Sequence, residues 1–121
     1  MILNHINLVV ASVPKAVALF EKCFGFKCIE NRKDALAVCT NEANFVLIFW
    51  SSKLNKTDTV SYPENFHIGF YQPDQEAVLR VYNKLKDQEV NLGSAPQKLR
   101  NTFGFYCHFE NIMIEISVMP S

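Results

Sequence analysis

The chain has 121 residues, and twelve Lys and Arg balance twelve Asp and Glu, so its formal net charge is zero. A neutral chain lacks the basic excess that phosphate-backbone binding requires, which argues against nucleic acid as a partner. Its 49% hydrophobic and 20% charged residues fit one globular domain. No apolar run reaches the roughly 18 residues of a membrane span. Met1–His5 lacks a basic, cleavable leader. The expectation is a cytoplasmic protein with no membrane partner. Cys23, Cys28, Cys39 and Cys107 form no C-x-x-C pair and are expected as reduced, buried thiols.

Residues 4–10 alternate and are rich in branched side chains, which predicts a strand. Ser12 and Pro14 then suit a helix start, and Ala16, Phe20 and Cys23 recur at helical spacing until Gly25. Three short apolar runs, 26–30, 35–39 and 45–50, predict three further strands. Residues 52–64 are mostly polar and read as a linker between a first unit, 1–51, and a second, 65–121.

The pattern begins again with a strand over 66–71. An acidic first turn, Pro73-Asp74-Gln75-Glu76, opens a helix whose apolar stripe is Ala77, Val78, Val81, Tyr82 and Leu85. Strands are predicted over 90–92, 103–109 and 112–118. His5 and His67 lie 62 positions apart, and at that offset Ile6 meets Ile68, Leu8 meets Phe70 and Phe20 meets Tyr82. The expected fold class is therefore α+β: two βαβββ repeats whose sheets together form a partly open barrel or cleft, with helices on the outer faces.

Side chains alternate along a strand, so each strand sorts its residues onto two faces. Ile6, Leu8 and Val10 share one face of the first strand; Ile68 and Phe70 share one face of the fifth; Ile112, Ile114 and Ile116 share one face of the last. These apolar faces should meet the helices. The opposite faces carry His5 and Asn7, His67 and Tyr71, and Glu115. Two imidazoles and one carboxylate are a recognised ligand set for a divalent metal that leaves positions open for substrate. The competing reading is a hydrogen-bonded trio in a cavity, without metal.

The repeat, with Asn4-His5-Ile6 and Phe66-His67-Ile68-Gly69-Phe70 opening its two units and Ile114-Glu115-Ile116 in the last strand, resembles the vicinal oxygen chelate superfamily. That group contains glyoxalase I, bleomycin-resistance and fosfomycin-resistance proteins and extradiol dioxygenases. The resemblance covers essentially the whole chain. It implies that His5, His67 and Glu115 hold a divalent ion, with Fe, Mn, Ni and Zn not distinguished. It also implies a homodimer and a small-molecule substrate. A glyoxalase I would carry a fourth ligand in the last strand of the first unit, but here that strand is apolar, Phe45–Trp50. The turn before the final strand also departs from the family's Asp-Pro-Asp-Gly-like form.

Further site candidates are Tyr106 and His108, which share a strand face and could transfer a proton; His108 also reads as a surface turn residue. Arg100 is a candidate anchor for an anionic group, although it also reads as an exposed loop residue. Asn7, Phe49 and Trp50 are candidates for substrate contact. The functional expectation is a metal-dependent lyase or dioxygenase acting on a small, partly apolar substrate that carries oxygen. The alternative is a metal-free protein that binds or sequesters a small molecule, as bleomycin-resistance proteins do.

Overall fold

The computed structural model describes residues 1–55, 60–88 and 90–120. Residues 56–59 of the expected linker lie outside the described residues. The fold is α+β and divides into two compact units, Met1–Val60 and Ser61–Ser121.

In the first unit, β1 (His5–Val10) leads into α1 (Val13–Cys23), followed by β2 (Lys27–Asn31), β3 (Leu36–Thr40) and β4 (Val46–Ser51). Ser12 caps α1, its Oγ accepting from the Lys15 N–H at 3.3 Å. Gly25 ends it by taking φ +74°, a left-handed conformation that glycine adopts without a Cβ clash. The sheet order is β1-β4-β3-β2, with β1 parallel to β4 and the other pairs antiparallel. The sheet is open and does not close into a barrel.

Alternation decides what α1 covers. Leu8, Val10, Ala37, Cys39, Leu47 and Phe49 are buried on one face, together with Ala16, Leu19 and Phe20 of the helix. Phe20 packs edge-on against Phe24, Phe26 and Phe49, at 4.9, 5.8 and 4.9 Å between ring centroids. Such geometry adds about 0.5–1.5 kcal/mol per pair beyond area burial.

The second unit repeats this plan with β5 (His67–Gln72), α2 (Gln75–Leu85), β6 (Asn91–Leu92), β7 (Gln97–Leu99), β8 (Thr102–Phe109) and β9 (Ile112–Val118). The order is β5-β9-β8-β6, and β7 pairs with a different stretch of β8. Again the first strand lies parallel to the last. Asp74 is the N-cap of α2, its Oδ1 accepting from the Ala77 N–H at 2.9 Å. Val78, Leu85, Phe105, Cys107, Ile112, Ile114 and Ile116 are buried, and Tyr82 of α2 meets Phe105 edge-on at 5.1 Å.

Two sequence expectations are corrected here. The edge strand of the second unit comes in two pieces, and β7 had no apolar signal of its own. His108 lies within β8, not in a turn; the turn is the pair Glu110-Asn111, with Glu110 at φ +52°.

Gly104 is fixed by contact, because a Cβ built on it would lie 2.2 Å from the Ile116 carbonyl oxygen and 2.8 Å from Ser117 Cα. Real Cβ atoms do not approach backbone so closely, so β8 and β9 could not keep their spacing. Gly104→Ala should therefore destabilise the protein by at least about 2 kcal/mol in denaturant unfolding. Gly93→Ala, whose Cβ would meet only the Tyr106 carbonyl oxygen at 3.5 Å, should stay within about 1 kcal/mol of wild type.

Candidate functional site

The helix-free face of the second sheet forms a grid set by register. His108 of β8, Met113 of β9 and His67 of β5 occupy one row. Tyr106, Glu115 and Gly69 occupy the next, and Gly104, Ser117 and Tyr71 the third. Five residues, the outermost of them 48 positions apart in sequence, thus share one surface: His67, Tyr71, Tyr106, His108 and Glu115. They do so because every pairing keeps the two-residue alternation in phase.

At the centre, His67 Nε2 lies 3.8 Å from Glu115 Oε1. The imidazole is held from its other side, with Nδ1 3.0 Å from the Asn65 carbonyl oxygen. That contact makes Nδ1 a donor, since a carbonyl can only accept, so it is Nε2, the atom facing the carboxylate, that would carry the lone pair of a neutral ring. Glu115 is braced in turn. Its Oε2 accepts a hydrogen bond from Ser117 Oγ at 3.1 Å, and Ser117 is buried. Tyr106 is the direct ladder partner of Glu115 on this face, and its ring lies edge-on to His67 at 6.5 Å. Burial, followed by the neighbouring Glu115 carboxylate as acceptor and as charge, raises the Tyr106 pKa, while the nearby Arg100 charge acts in the opposite direction.

Arg100 itself is exposed, in the two-residue turn joining β7 and β8, with φ +46°. His108 is exposed on the same face as Tyr106, one row away from Glu115. Ser117 and the Asn65 carbonyl were not singled out from sequence. Ser117 could have been, since it sits two positions after Glu115 and so must share its face.

The first sheet has the corresponding face, lined by His5, Asn7 and Val9 of β1, Val46, Ile48 and Trp50 of β4, and Leu36, Val38 and Thr40 of β3. His5 is exposed, and its Nδ1 is 2.7 Å from Asn4 Oδ1. Asn7 is exposed and Trp50 half-buried on this face. Phe49 is not among them. It is 0% exposed and packs on Phe20 beneath α1, which corrects its expected place beside a substrate. The register also settles which residue matches Glu115: Glu115 pairs with Gly69, two residues after His67, and Ile48 pairs with Asn7, two residues after His5. The first unit thus has an aliphatic side chain where the second has its carboxylate.

The His67–Glu115 pair is suited to a metal. Two donors on one ion, at bond lengths of about 2.0–2.2 Å, stand roughly 3–3.5 Å apart, and the observed 3.8 Å requires only a small closure. The pair stops at two, because among the described residues no three His, Cys, Asp or Glu side chains gather into a group that could hold a metal ion.

The family model for the Glyoxalase/Bleomycin resistance protein/Dioxygenase superfamily matches residues 2–111. No curated protein matches the sequence. Among solved structures, a possible glyoxalase from Bacillus cereus is 32% identical, with a TM-score of 0.78 over 97% of this chain and 98% of that one. A genomically encoded fosfomycin resistance protein from Listeria monocytogenes is 18% identical, with a TM-score of 0.80 over 99% and 94% of the two chains. A lactoylglutathione lyase from Agrobacterium tumefaciens is 13% identical, with a TM-score of 0.73 over 97% and 92%. The last two similarities are of fold alone.

The geometry around Tyr106 has a spectroscopic consequence. In an absorbance titration at high pH, one tyrosine should ionise later than the ordinary value near 10. Tyr106→Phe should remove that late component, and Glu115→Gln should move it earlier.

Proposed function

The chain belongs to the glyoxalase/bleomycin resistance protein/dioxygenase superfamily, and from that footing we propose that it is a divalent-metal-dependent enzyme acting on a small, partly apolar substrate that carries oxygen. His67 and Glu115 are two of the proposed ligands and His5 the third. The observation that carries this reading is the His67–Glu115 pair: a tautomer-fixed Nε2 facing a braced carboxylate at 3.8 Å, on an open sheet face. His5 supports it by opening β1 as His67 opens β5, with Nδ1 likewise engaged and Nε2 left for coordination.

A divalent ion held there would act as a Lewis acid towards the oxygen atoms of a bound substrate. The chain's own groups divide the remaining work. Asn65 and Ser117 hold the ligand side chains in place, as outer partners of metal ligands commonly do. Tyr106, protonated at neutral pH as an ordinary tyrosine is, holds a proton at Oη on the face that carries the carboxylate and can donate it as a hydrogen bond to an oxygen that gains charge. His108, on the same face, is the proposed second proton carrier. Asn7 and Trp50 are proposed to contact the substrate, with Trp50 supplying apolar area, and Arg100 to contact an anionic group on it. We place the protein in the cytoplasm, where its four cysteines, none of them in a disulfide, stay reduced, and propose a homodimer.

Metal analysis of untagged protein tests the reading. Uptake of about one Fe, Mn, Ni or Zn per chain is expected, with affinity falling at least about tenfold in His5→Ala, His67→Ala and Glu115→Gln and less in Ser117→Ala. No uptake by the wild-type protein would overturn it. So would tight binding of an aromatic ligand that neither chelator nor His67→Ala alters, which would identify a metal-free binding protein instead.

A further inference from the structure

One reactive pair in the first unit lies outside the proposed site. Cys28 of β2 and Cys39 of β3 are direct partners in the antiparallel ladder, next to a register shift between Cys28 and Glu30. Residues directly opposite in such a ladder have Cα atoms about 4.5–5.5 Å apart, inside the roughly 4.4–6.8 Å span of a disulfide. Residues paired in this way project their side chains to the same face of the sheet, so the two thiols are neighbours. Both are free thiols here.

We propose that Cys28 and Cys39 form a reversible oxidation site, closing into an intramolecular disulfide when the protein meets a small-molecule disulfide such as oxidised glutathione. The two thiols have different surroundings, and this sets the order of events. Cys28 is half-buried on β2, an edge strand, while Cys39 is fully buried. The Cys28 N–H is fixed by Glu21 Oε2 of α1 at 2.9 Å, and its Sγ contacts the Glu30 carbonyl oxygen at 3.3 Å. Burial, with Cys28 as the next contributor, pushes the Cys39 thiol up to about 12, so Cys39 is no initial nucleophile.

Cys28 sulfur attacks the small disulfide, forming a mixed disulfide and releasing one glutathione thiolate, which takes up the Cys28 proton. Cys39 sulfur then attacks the Cys28 sulfur. The second glutathione leaves and takes the Cys39 proton. Two protein thiols lose two electrons, and one glutathione disulfide becomes two glutathione thiols. The second step is intramolecular between ladder partners, so it needs little further ordering of the chain.

The test incubates the full-length, untagged protein with oxidised glutathione, blocks remaining thiols by alkylation and maps tryptic peptides by mass. Trypsin cuts between the two sites at Arg32 and Lys33. The expected product is the 28–32 peptide joined to the 34–53 peptide, two hydrogens lighter than the two thiol peptides together. It should form in most wild-type chains and in Cys23→Ser, disappear in Cys28→Ser and Cys39→Ser, and reverse with a thiol reductant. Glutathione retained on Cys28 without the joined peptide would overturn the proposal. So would full alkylation of Cys28 and Cys39 after oxidation, or joining seen only in denaturant.

Discussion

Everything in this structure depends on the parallel pairing of the first and last strands within each unit. The helix that follows the first strand carries the chain to the far edge of the sheet, and the last strand returns beside the first. That pairing fixes a register, and the register fixes which side chains face the helix. Ile6, Leu8 and Val10 align with Leu47, Phe49 and Ser51 on one side, while His5, Asn7 and Val9 align with Val46, Ile48 and Trp50 on the other. A slip of one residue would bury His5 under α1 and expose Leu8 and Phe49. The buried area of those side chains makes such a slip costly, so hydrophobic burial on one face is what holds the polar face in order.

The second unit uses the same device to gather its polar groups. Met113, Glu115 and Ser117 alternate with Ile112, Ile114 and Ile116 in one strand, and the isoleucines lock that strand onto α2. Glu115 then has no choice of face. Its neighbours are set by pairing: Gly69 on one side, Tyr106 on the other, and His67 diagonally across. The close approach at Gly104 adds a steric constraint, since only a residue without a side chain fits against Ile116 and Ser117. The electrostatics of Tyr106 follow from position: half-buried and beside a carboxylate, its hydroxyl gains from keeping its proton.

Much of this was legible in the sequence because alternation and helical spacing are strong signals when a core depends on them. The 62-residue offset holds through the helices, as Val13–Cys23 becomes Gln75–Leu85. It drifts afterwards because the second unit spends extra residues on a split edge. Gln97-Lys98-Leu99 gave no strand signal, as its order comes from backbone pairing with β8 rather than from a buried face. Residue type does not reveal which face Phe49 takes, because a run such as Val46–Trp50 is apolar on both faces, and only pairing with Leu8 shows which residues meet the helix. The braces on His67 and Glu115 were less visible. A backbone carbonyl at Asn65 has no signature in residue type, and a serine near a carboxylate is common.

The two units solve one packing problem with different surfaces. Where the second presents Glu115, Tyr106 and His108, the first presents Ile48, Val38 and Thr40 at matching positions. None of these six contributes to the layer beneath a helix. Foldedness is thus uncoupled from chemistry: selection can rewrite one side of such a sheet while the other keeps the domain intact. A duplicated scaffold of this kind is free to keep a reactive lining in one half and let the other drift towards selectivity, which makes it a ready source of new activities from an old architecture.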